Sequence, residues 1–334
     1  MPDPKSNPPT HHSIDILIIG AGLSGLSAAI DLQQAGHNVM LVDKGRGLGG
    51  RLAGRRIGEA SFDHGAQFMT ARAPRFQQTV AEWIEAGVAE EWYSSYPGHQ
   101  NGHPRYRGVP TMTAIAKHLA TDLNILRKVR VVEIAQDNNQ WLATLDNGES
   151  ISAKSMIITS PIPQTLDLLA TGNIQIPTDK LARLQRIEYE ACIAVMAVLE
   201  SPSNIPAPGA TVIEDSPVAW ISDNQQKGVS KIPAVTIHGS GTFSAKYFDA
   251  DPMTVGQQLI DAALPLLGSS VTQYQVHGWR YSKPTVVDPE SCMLLTEGTD
   301  LPPLALAGDA FNGPKVEGAV SSGWAAAAVL GGLI

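Results

Sequence analysis

The segment from Ile14 to Asp43 limits the possible folds of this chain more than any other part of the sequence. An apolar run ends in Gly20-Ala-Gly22-Leu-Ser-Gly25, a segment with helical spacing follows, and a second apolar run ends at Asp43. This strand–turn–helix–strand order is the context that a dinucleotide-binding G-x-G-x-x-G motif requires. A glycine-rich turn of some other α/β protein is the alternative, and it is disfavoured because all these features occur together.

Each glycine of the motif has a predicted task in holding a dinucleotide. Gly20 permits a tight turn, Gly22 lets a pyrophosphate approach the main chain, and Gly25 lets the helix pack closely on the strand. The helix N-terminus, with Leu23 and Ser24, offers free N–H groups and the positive end of the helix dipole to the phosphates.

The residues that follow the second strand distinguish between possible cofactors. Asp43 is placed to accept hydrogen bonds from a ribose diol. The next residues, Lys44-Gly-Arg46-Gly-Leu-Gly49-Gly50-Arg51, form a basic loop that a plain NAD domain does not need. Arg46 or Arg51 is expected to neutralise phosphate charge, and the alternative is a basic surface turn. The loop favours a long cofactor whose pyrophosphate and ribityl chain pass beside it.

The C-terminal region contains a second set of residues suited to a cofactor. An apolar run ends in Gly308-Asp309, and Glu317-Gly318-Ala319-Val320 opens an Ala-rich helical segment. The acid suits the ribityl or phosphate part of FAD, and the helix would direct its positive end towards the flavin pyrimidine. NAD domains need no such distant half-site, so we predict FAD. We expect it to be non-covalent, because neither Cys192 nor Cys292 lies in a motif placed at the flavin.

Composition narrows the possible classes of function. The chain has 334 residues, of which 43% are hydrophobic and 17% charged, enough for two interleaved domains with sizeable cores. The net charge of −8, without a long Lys or Arg run, argues against nucleic-acid or membrane-surface binding as a main function.

The two cysteines are predicted to be buried free thiols, and no metal site is predicted. Residues 1–13 are predicted to form a disordered tail. We see no signal peptide and no apolar span of about 18 residues, so we expect a cytoplasmic protein.

Apolar spacing and turn residues divide the rest of the chain. Helical spacing at 74–89 and before residue 119 flanks a segment, 92–108, with irregular or hairpin character. Strands are predicted at 131–134, 140–145, 150–153 and 155–160, with a hairpin turn at Asp146-Asn-Gly148. Between 171 and 298, apolar runs at 191–199, 211–213, 219–221 and 234–237 alternate with turns, and helices are predicted at 180–187 and 252–267. The second region is therefore predicted to be an antiparallel sheet with flanking helices, inserted into the cofactor domain.

Several longer motifs resemble the renalase family of flavoproteins in its bacterial or plant type. They are residues 43–51, Asp63-His-Gly-Ala-Gln-Phe-Met-Thr-Ala-Arg72, Arg105-Tyr-Arg-Gly-Val-Pro-Thr-Met112, 215–220 with Asn224, His277-Gly-Trp-Arg-Tyr-Ser-Lys-Pro284, Gly308-Asp309 and 316–319. The glycine-rich motifs are shared by all amine-oxidase-like flavoproteins, whereas the second and fifth motifs are narrower. Ala310-Phe311 is a departure, because bacterial members often have Trp-Cys there, so the wall beside the flavin is expected to differ.

The resemblance implies an α/β fold: a Rossmann-like FAD-binding domain of the amine-oxidase and p-hydroxybenzoate-hydroxylase type, with an inserted α+β substrate domain on an antiparallel sheet. The FAD-binding domain is predicted to comprise residues 14–75, 125–170 and 295–334, and the substrate domain residues 76–124 and 171–294. The implied cofactor-binding residues are Gly20, Gly22, Leu23, Ser24, Gly25, Asp43, Lys44, Arg46, Gly49, Gly50, Arg51, Ala66, Gln67, Val131, Gly308, Asp309, Glu317, Gly318, Ala319 and Val320.

The resemblance also implies a reaction. Family members oxidise isomeric dihydronicotinamide dinucleotides, 2- or 6-dihydroNAD(P), by hydride transfer to flavin N5, and O2 then yields H2O2. A dihydropyridine that loses hydride becomes an aromatic cation without losing a proton, so no catalytic side chain is predicted; the protein must hold the ring and exclude competitors. The predicted substrate pocket comprises Phe68, Met69, Thr70, Ala71, Arg72, Trp220, Asn224, His238 and Trp279.

Structural alternatives exist for these pocket residues. Trp220 and Trp279 are either pocket walls or packing residues, and Arg72 either meets an anionic substrate group or is solvated. Asn224 and His238 are expected to hydrogen-bond the carboxamide or the dinucleotide backbone, and the alternative for His238 is a structural histidine.

Other functions are an amine oxidase or desaturase and a non-catalytic FAD-bound scaffold. A pyridine-nucleotide reductase is weaker, because the sequence shows no second unit of strand, G-x-G-x-x-G turn and helix that would bind NAD(P)H. The sequence leaves open the oligomeric state and the choice between NAD and NADP isomers.

Overall fold

The computed structural model describes residues 12–94 and 102–334. Most of the predicted N-terminal tail, and residues 95–101 of the segment predicted to be irregular, lie outside these ranges. The predicted end of the tail is wrong by two residues, because His12 and Ser13 already belong to the first strand. They pair in parallel with Ile151 and Ser152, so main-chain hydrogen bonding extends the strand beyond its apolar part.

The helices and strands of the described residues are numbered in chain order. The helices are α1 (Leu23–Gln34), α2 (Pro74–Glu85), α3 (Thr113–Leu119), α4 (Ile162–Thr171), α5 (Thr178–Leu184), α6 (Gly241–Tyr247), α7 (Pro252–Leu267) and α8 (Val316–Gly331). The strands are β1 (His12–Ile19), β2 (Val39–Asp43), β3 (Gly54–Ile57), β4 (Ala60–Asp63), β5 (Ala89–Tyr93), β6 (Arg105–Gly108), β7 (Ile125–Arg127), β8 (Val131–Asp137), β9 (Gln140–Leu145), β10 (Ser150–Ile158), β11 (Tyr189–Leu199), β12 (Ala210–Val212), β13 (Val218–Asp223), β14 (Ala234–Gly239), β15 (Val271–Pro284), β16 (Met293–Leu294) and β17 (Leu304–Leu306).

The larger sheet has the order β16-β17-β10-β1-β2-β7, with β9 and β8 attached through β10. β1 is central and parallel to both β10 and β2, and β17 is parallel to β10. Because successive strand residues point to opposite faces, Ile16 and Ile18 pack towards α1 and α8, whereas Leu17 packs towards β8 and β9. Both faces of the parallel core are therefore covered, as expected for an α/β sheet.

The smaller sheet is antiparallel, with the order β12-β13-β14-β11-β15. One face packs on α7 through Val195, Ile237 and Leu259. On the opposite face, Met196 contacts Phe62 of β4. This second face therefore meets the segment that follows the glycine-rich loop.

Residues 76–124, predicted to be part of the substrate domain, pack on the parallel-sheet side. Phe76, Val80 and Trp83 of α2 and Ile115 of α3 share one hydrophobic core with α1 and α8. The division into two domains stays a prediction, and this packing favours placing α2 and α3 with the cofactor domain.

Some elements differ from the pattern in the sequence. Residues 150–160 were expected to form two strands, but β10 is continuous, antiparallel to β9 at its start and parallel to β1 throughout. β15 was not predicted, because most of its residues are polar or partly exposed and no apolar run marks it. Cys192 and Cys292 are buried free thiols, as predicted. Within the described ranges, no helix combines the length and the apolar character needed to cross a membrane.

Candidate functional site

Close main-chain packing explains the glycines of the first turn. Gly20 has a φ of +110°, and a Cβ there would lie 2.4 Å from Oγ1 of Thr159. A Cβ at Gly25 would lie 2.0 Å from the Gly20 carbonyl oxygen. A Cβ at Gly22 would meet nothing within 4 Å. Packing therefore requires Gly20 and Gly25, whereas Gly22 leaves space above the turn that a cofactor phosphate can enter.

The first turn of α1 has the features of an anion site. The first N–H groups of a helix have no intrahelical partner. The N-cap of α1 is Gly22, which has no side chain that could accept a hydrogen bond from them. Ser24 is buried, and its hydroxyl has no hydrogen-bond partner among the described residues. A buried hydroxyl without a partner is costly, and a phosphate at this helix end would satisfy it. These residues fit the pyrophosphate of a dinucleotide cofactor.

Asp43 holds the first turn and the following loop together. One carboxylate oxygen accepts the Ala21 N–H at 2.7 Å, and the other accepts the Gly45 N–H at 2.6 Å. A carboxylate oxygen has a second lone pair, so these bonds leave room for the predicted ribose contact. The Asp43 carbonyl accepts the Val129 N–H, which brings the predicted contact residue Val131 close to the same end.

The Gly49-Gly50 loop folds back over the first turn. Gly49 donates its N–H to the Ala21 carbonyl at 2.9 Å and has a φ of +93°. The Ala66 N–H donates to the Arg51 carbonyl at 2.8 Å, and a Cβ at Gly65 would lie 2.0 Å from that oxygen. Three segments that are distant in sequence thus meet through their main chains.

Arg51 has a fixed protein partner. Its guanidinium forms a two-fold hydrogen bond with Asp309, with both N–O distances 2.6 Å. It also donates to the carbonyls of Tyr281 and Ser282 in β15. The structure thus gives Arg51 a partner other than the predicted phosphate, because two N–H groups of its guanidinium donate to the Asp309 carboxylate. Arg46 is exposed, and its predicted phosphate contact stays a prediction.

The start of α8 is held against both α1 and the 68–73 loop. A Cβ at Gly323 would lie 2.2 Å from the Ser24 carbonyl, so α8 crosses α1 at van der Waals distance. The Glu317 carboxylate accepts the N–H groups of Arg72 and Ala73, the second at 2.6 Å. The structure shows the Glu317 carboxylate bound to this loop, and its predicted contact with the cofactor stays a prediction.

Gln67 and Asn224 have structural roles that differ from the predicted ones. Gln67 donates to the Asp63 carbonyl at 2.7 Å and accepts a hydrogen bond from Ser222 at 2.8 Å. Asn224 is fully buried; it accepts the Asp63 N–H at 3.3 Å and donates to Thr236 at 3.0 Å. Both amides hold the 63–67 segment on the antiparallel sheet, and their contacts to a cofactor or substrate stay predictions.

Three histidines and a tryptophan gather beside this segment. The His64 carbonyl accepts hydrogen bonds from Trp279 Nε1 at 2.9 Å and from His238 Nε2 at 3.1 Å. The rings of His277 and Trp279 lie 4.3 Å apart. Burial lowers the pKa of His64 to about 3, with His277 adding to the effect, and burial lowers the pKa of His238 to about 4. The imidazoles of His64 and His238 are therefore neutral at pH 7.

An aromatic cluster forms the other part of the wall. Phe68 lies 5.8 Å from Trp220, 6.5 Å from Trp92 and 6.4 Å from Tyr93, measured between ring centroids. The Arg105 guanidinium lies 5.6 Å from the Phe68 ring centroid. The Trp220 indole nitrogen is buried and has no hydrogen-bond partner among the described residues. The sequence did not assign Trp92, Tyr93 or Arg105 to the pocket, because they reach Phe68 through the β5–β6 pairing and the bridge between Met69 and Tyr106.

The structure divides the predicted pocket residues into two groups. Phe68 and Trp220 contact each other, and His238 and Trp279 share the His64 carbonyl. Of the other predicted pocket residues, Met69 is buried with its main chain paired to Tyr106, Thr70 and Ala71 are partly exposed, and Arg72 is exposed. No group of His, Cys, Asp and Glu that could hold a metal ion occurs in residues 12–94 or 102–334.

Comparisons with known proteins agree with this geometry. A model of an NAD(P)-binding Rossmann-like domain matches residues 18–83, and a model of flavin containing amine oxidoreductases matches residues 82–330. Renalase of Mus musculus is 25% identical over 92% of this chain and 96% of its own length. A putative flavin-containing monoamine oxidase of Mycobacterium tuberculosis is 30% identical, over 29% of this chain and 19% of its own.

Solved structures show the same fold. Putrescine oxidase bound to putrescine has a TM-score of 0.74 at 14% identity, covering 96% of this chain and 99% of its own. The predicted α/β fold and FAD as the cofactor are confirmed by these findings, and the chain is a flavin-dependent oxidoreductase. The resemblance to renalase also stands, at the level of the flavoamine-oxidase superfamily. With its family model matching about three quarters of the sequence, the chain belongs to the flavin containing amine oxidoreductase family.

Proposed function

We propose that this protein is a renalase-like oxidase of 2- or 6-dihydroNAD(P), which releases NAD(P)⁺ and, from O2, H2O2. The observation that carries the proposal is the similarity to mouse renalase along nearly the full length of both chains. The match to a named monoamine oxidase covers less than a third of this chain. FAD supplies the chemistry when bound, since it accepts the hydride and passes the electrons to O2.

The charge state of His64 and His238 supports this reaction. Loss of hydride turns a neutral dihydropyridine into a cationic ring, so protonated histidines beside it would oppose the reaction. Because the pKa values of His64 and His238 are lowered to about 3 and about 4, these side chains add no positive charge at pH 7. His238 Nε2 is occupied by the His64 carbonyl, and the reaction needs no proton acceptor.

Trp220 is a candidate to orient the substrate. Its buried indole N–H has no partner among the described residues, and its ring contacts Phe68. A carboxamide oxygen of a nicotinamide ring is an acceptor of the right kind for this donor. This assignment replaces Asn224, whose amide is already hydrogen-bonded inside the protein.

Anaerobic stopped-flow of the FAD-loaded protein tests the proposal. The protein is mixed separately with 2-dihydroNAD(P), 6-dihydroNAD(P), ordinary NADH and a panel of amines, while flavin absorbance is recorded. We expect fast bleaching by an isomer and slow bleaching by ordinary NADH. Bleaching by amines alone would identify an amine oxidase, and no bleaching by any of them would reject the proposed reaction.

A Trp220→Phe variant refines the same experiment. It keeps the ring contact with Phe68 and removes the indole donor, so we expect a rate loss of about 10-fold with the isomers. Tyr247→Phe, on α6 away from the wall, is the matched control for loss of one polar group on an aromatic side chain. An unchanged rate in Trp220→Phe would remove Trp220 from the substrate contacts.

A further inference from the structure

A completely buried ion pair joins the two sides of the candidate site. Lys227 Nζ lies 2.9 Å from a carboxylate oxygen of Asp63, and both side chains have 0% exposure. Asp63 ends β4, whereas Lys227 lies in the turn between β13 and β14. The pair therefore connects the segment after the glycine-rich loop to the antiparallel sheet.

The surroundings of the pair satisfy most of its hydrogen-bonding capacity. The other carboxylate oxygen of Asp63 accepts the Met112 N–H at 2.9 Å. The Lys227 ammonium lies 3.5 Å from the Gln67 side-chain oxygen and 4.9 Å from the centroid of the Trp92 ring. Burial lowers the pKa of Lys227, and the neighbouring Asp63 opposes that effect.

Burying two charges is an inefficient way to stabilise a fold. The desolvation of both ions offsets much of their attraction, so apolar side chains of similar size often give equal stability. A buried pair does restrict geometry, since each charge must lie against its one partner. Here this restriction fixes the position of Gln67 and of the adjacent Phe68, the residue that contacts Trp220.

We propose that Asp63 and Lys227 are positioning residues that fix the 63–68 segment in one register on the antiparallel sheet and so hold Phe68 against Trp220. The inference goes beyond the proposed function, because it holds for any substrate that docks on this wall. It predicts that removing both charges together leaves a folded protein with a loosened 63–68 segment.

The test uses the FAD-loaded double variant Asp63→Asn/Lys227→Met, which keeps side-chain volume and the acceptor for the Met112 N–H. The matched control is Asp15→Asn/Lys154→Met, which removes a partly exposed ion pair 2.7 Å long between β1 and β10. Hydrogen exchange measured by mass spectrometry should show faster exchange of residues 63–67 in the first variant only. The Met69 N–H, which donates to the Tyr106 carbonyl, serves as an internal reference that should not change.

Two flavin measurements complete the test. The visible circular dichroism of the bound flavin should change, and flavin reduction by the best substrate should slow about 10- to 100-fold. Reduction by dithionite, which needs no docking, should stay at the wild-type rate. Exchange and dichroism need no substrate, so their outcome is independent of whether the dihydroNAD(P) assignment holds.

Three outcomes would overturn or sustain the inference. Wild-type exchange, dichroism and reduction rate in a double variant with a lowered thermal midpoint would show a purely structural role and overturn it. If the double variant does not fold, Asp63→Asn alone, in which Lys227 can lose its proton, must show the same local loosening. Uniformly faster exchange throughout that single variant would also overturn the inference.

Discussion

The cofactor side and the substrate side of the site are built in different ways. On the cofactor side, main chains meet at glycines: added Cβ atoms at Gly25, Gly65 and Gly323 would lie 2.0 to 2.2 Å from carbonyl oxygens. On the substrate side, side chains from the antiparallel sheet meet one short segment, as in the bonds of Trp279 and His238 to the His64 carbonyl. The first kind of contact depends on residues having no side chain, and the second depends on which side chains face each other.

The largest effect is expected from filling the glycine contacts. Gly25→Ala places a methyl group against the Gly20 carbonyl, and neither main chain can move aside easily. We expect a loss of about 3 kcal/mol in the free energy of unfolding and loss of FAD binding. Urea unfolding of the apoprotein and flavin retention on gel filtration measure the two effects.

Gly22→Ala is the matched control for that variant. Its Cβ has open space, so the stability of the apoprotein should change by about 1 kcal/mol or less, while FAD affinity falls. Equal destabilisation by both alanines would contradict the distinction between packing and cofactor approach.

Arg51 links the two sides, because it pairs with Asp309 on the cofactor side and donates to carbonyls of β15 in the antiparallel sheet, and its loss should have an intermediate effect. Arg51→Gln removes a two-fold bond to Asp309 and the contacts with the carbonyls of β15. The pair is only partly buried, so we expect a cost of about 1 to 3 kcal/mol, below that of a fully buried pair. A double-mutant cycle with Asp309→Asn, followed by urea unfolding, isolates the coupling. A coupling near zero would mean that the two residues act independently.

The effect that is smallest near neutral pH is expected from the substrate wall, as a dependence of stability on pH. His64 stays neutral when folded, with a pKa of about 3, but takes up a proton near pH 6.5 when unfolded. Unfolding therefore binds a proton below about pH 6.5, and stability is lost as pH falls from there. His64→Asn should reduce the slope of unfolding free energy against pH by about 1.4 kcal/mol per pH unit near pH 5. His37→Asn, at a partly exposed position, is the control, and an unchanged slope in His64→Asn would contradict the buried, neutral state of His64.

The same contrast explains what could be predicted from the sequence. The motif glycines, Asp43, Gly308-Asp309 and the order of elements around them are visible because local main-chain geometry needs particular residues at fixed spacing. The prediction of FAD as the cofactor followed from that pattern together with the second set of cofactor residues, Gly308-Asp309 and 317–320.

The substrate wall was less predictable. The bonds of Asn224 to Asp63 and of Gln67 to Ser222 could not be predicted from local spacing, because these partners lie 161 and 155 residues away. Trp92 and Tyr93 were missed because a pairing between β5 and β6 brings them to Phe68. Arg51 was matched to a phosphate because its carboxylate partner lies 258 residues away.

The crossing of α8 over α1 has a consequence for how the chain folds during synthesis. β1 and α1 are made well before β17, which pairs with β10, and before α8, which touches Ser24 at Gly323. Contacts between such distant segments form late, because the entropy cost of closing a long loop must be met before these contacts can stabilise the fold. The emerging chain therefore carries an incomplete parallel sheet with exposed apolar surface until residue 331 is available, and this interval is when chaperones have the most to bind.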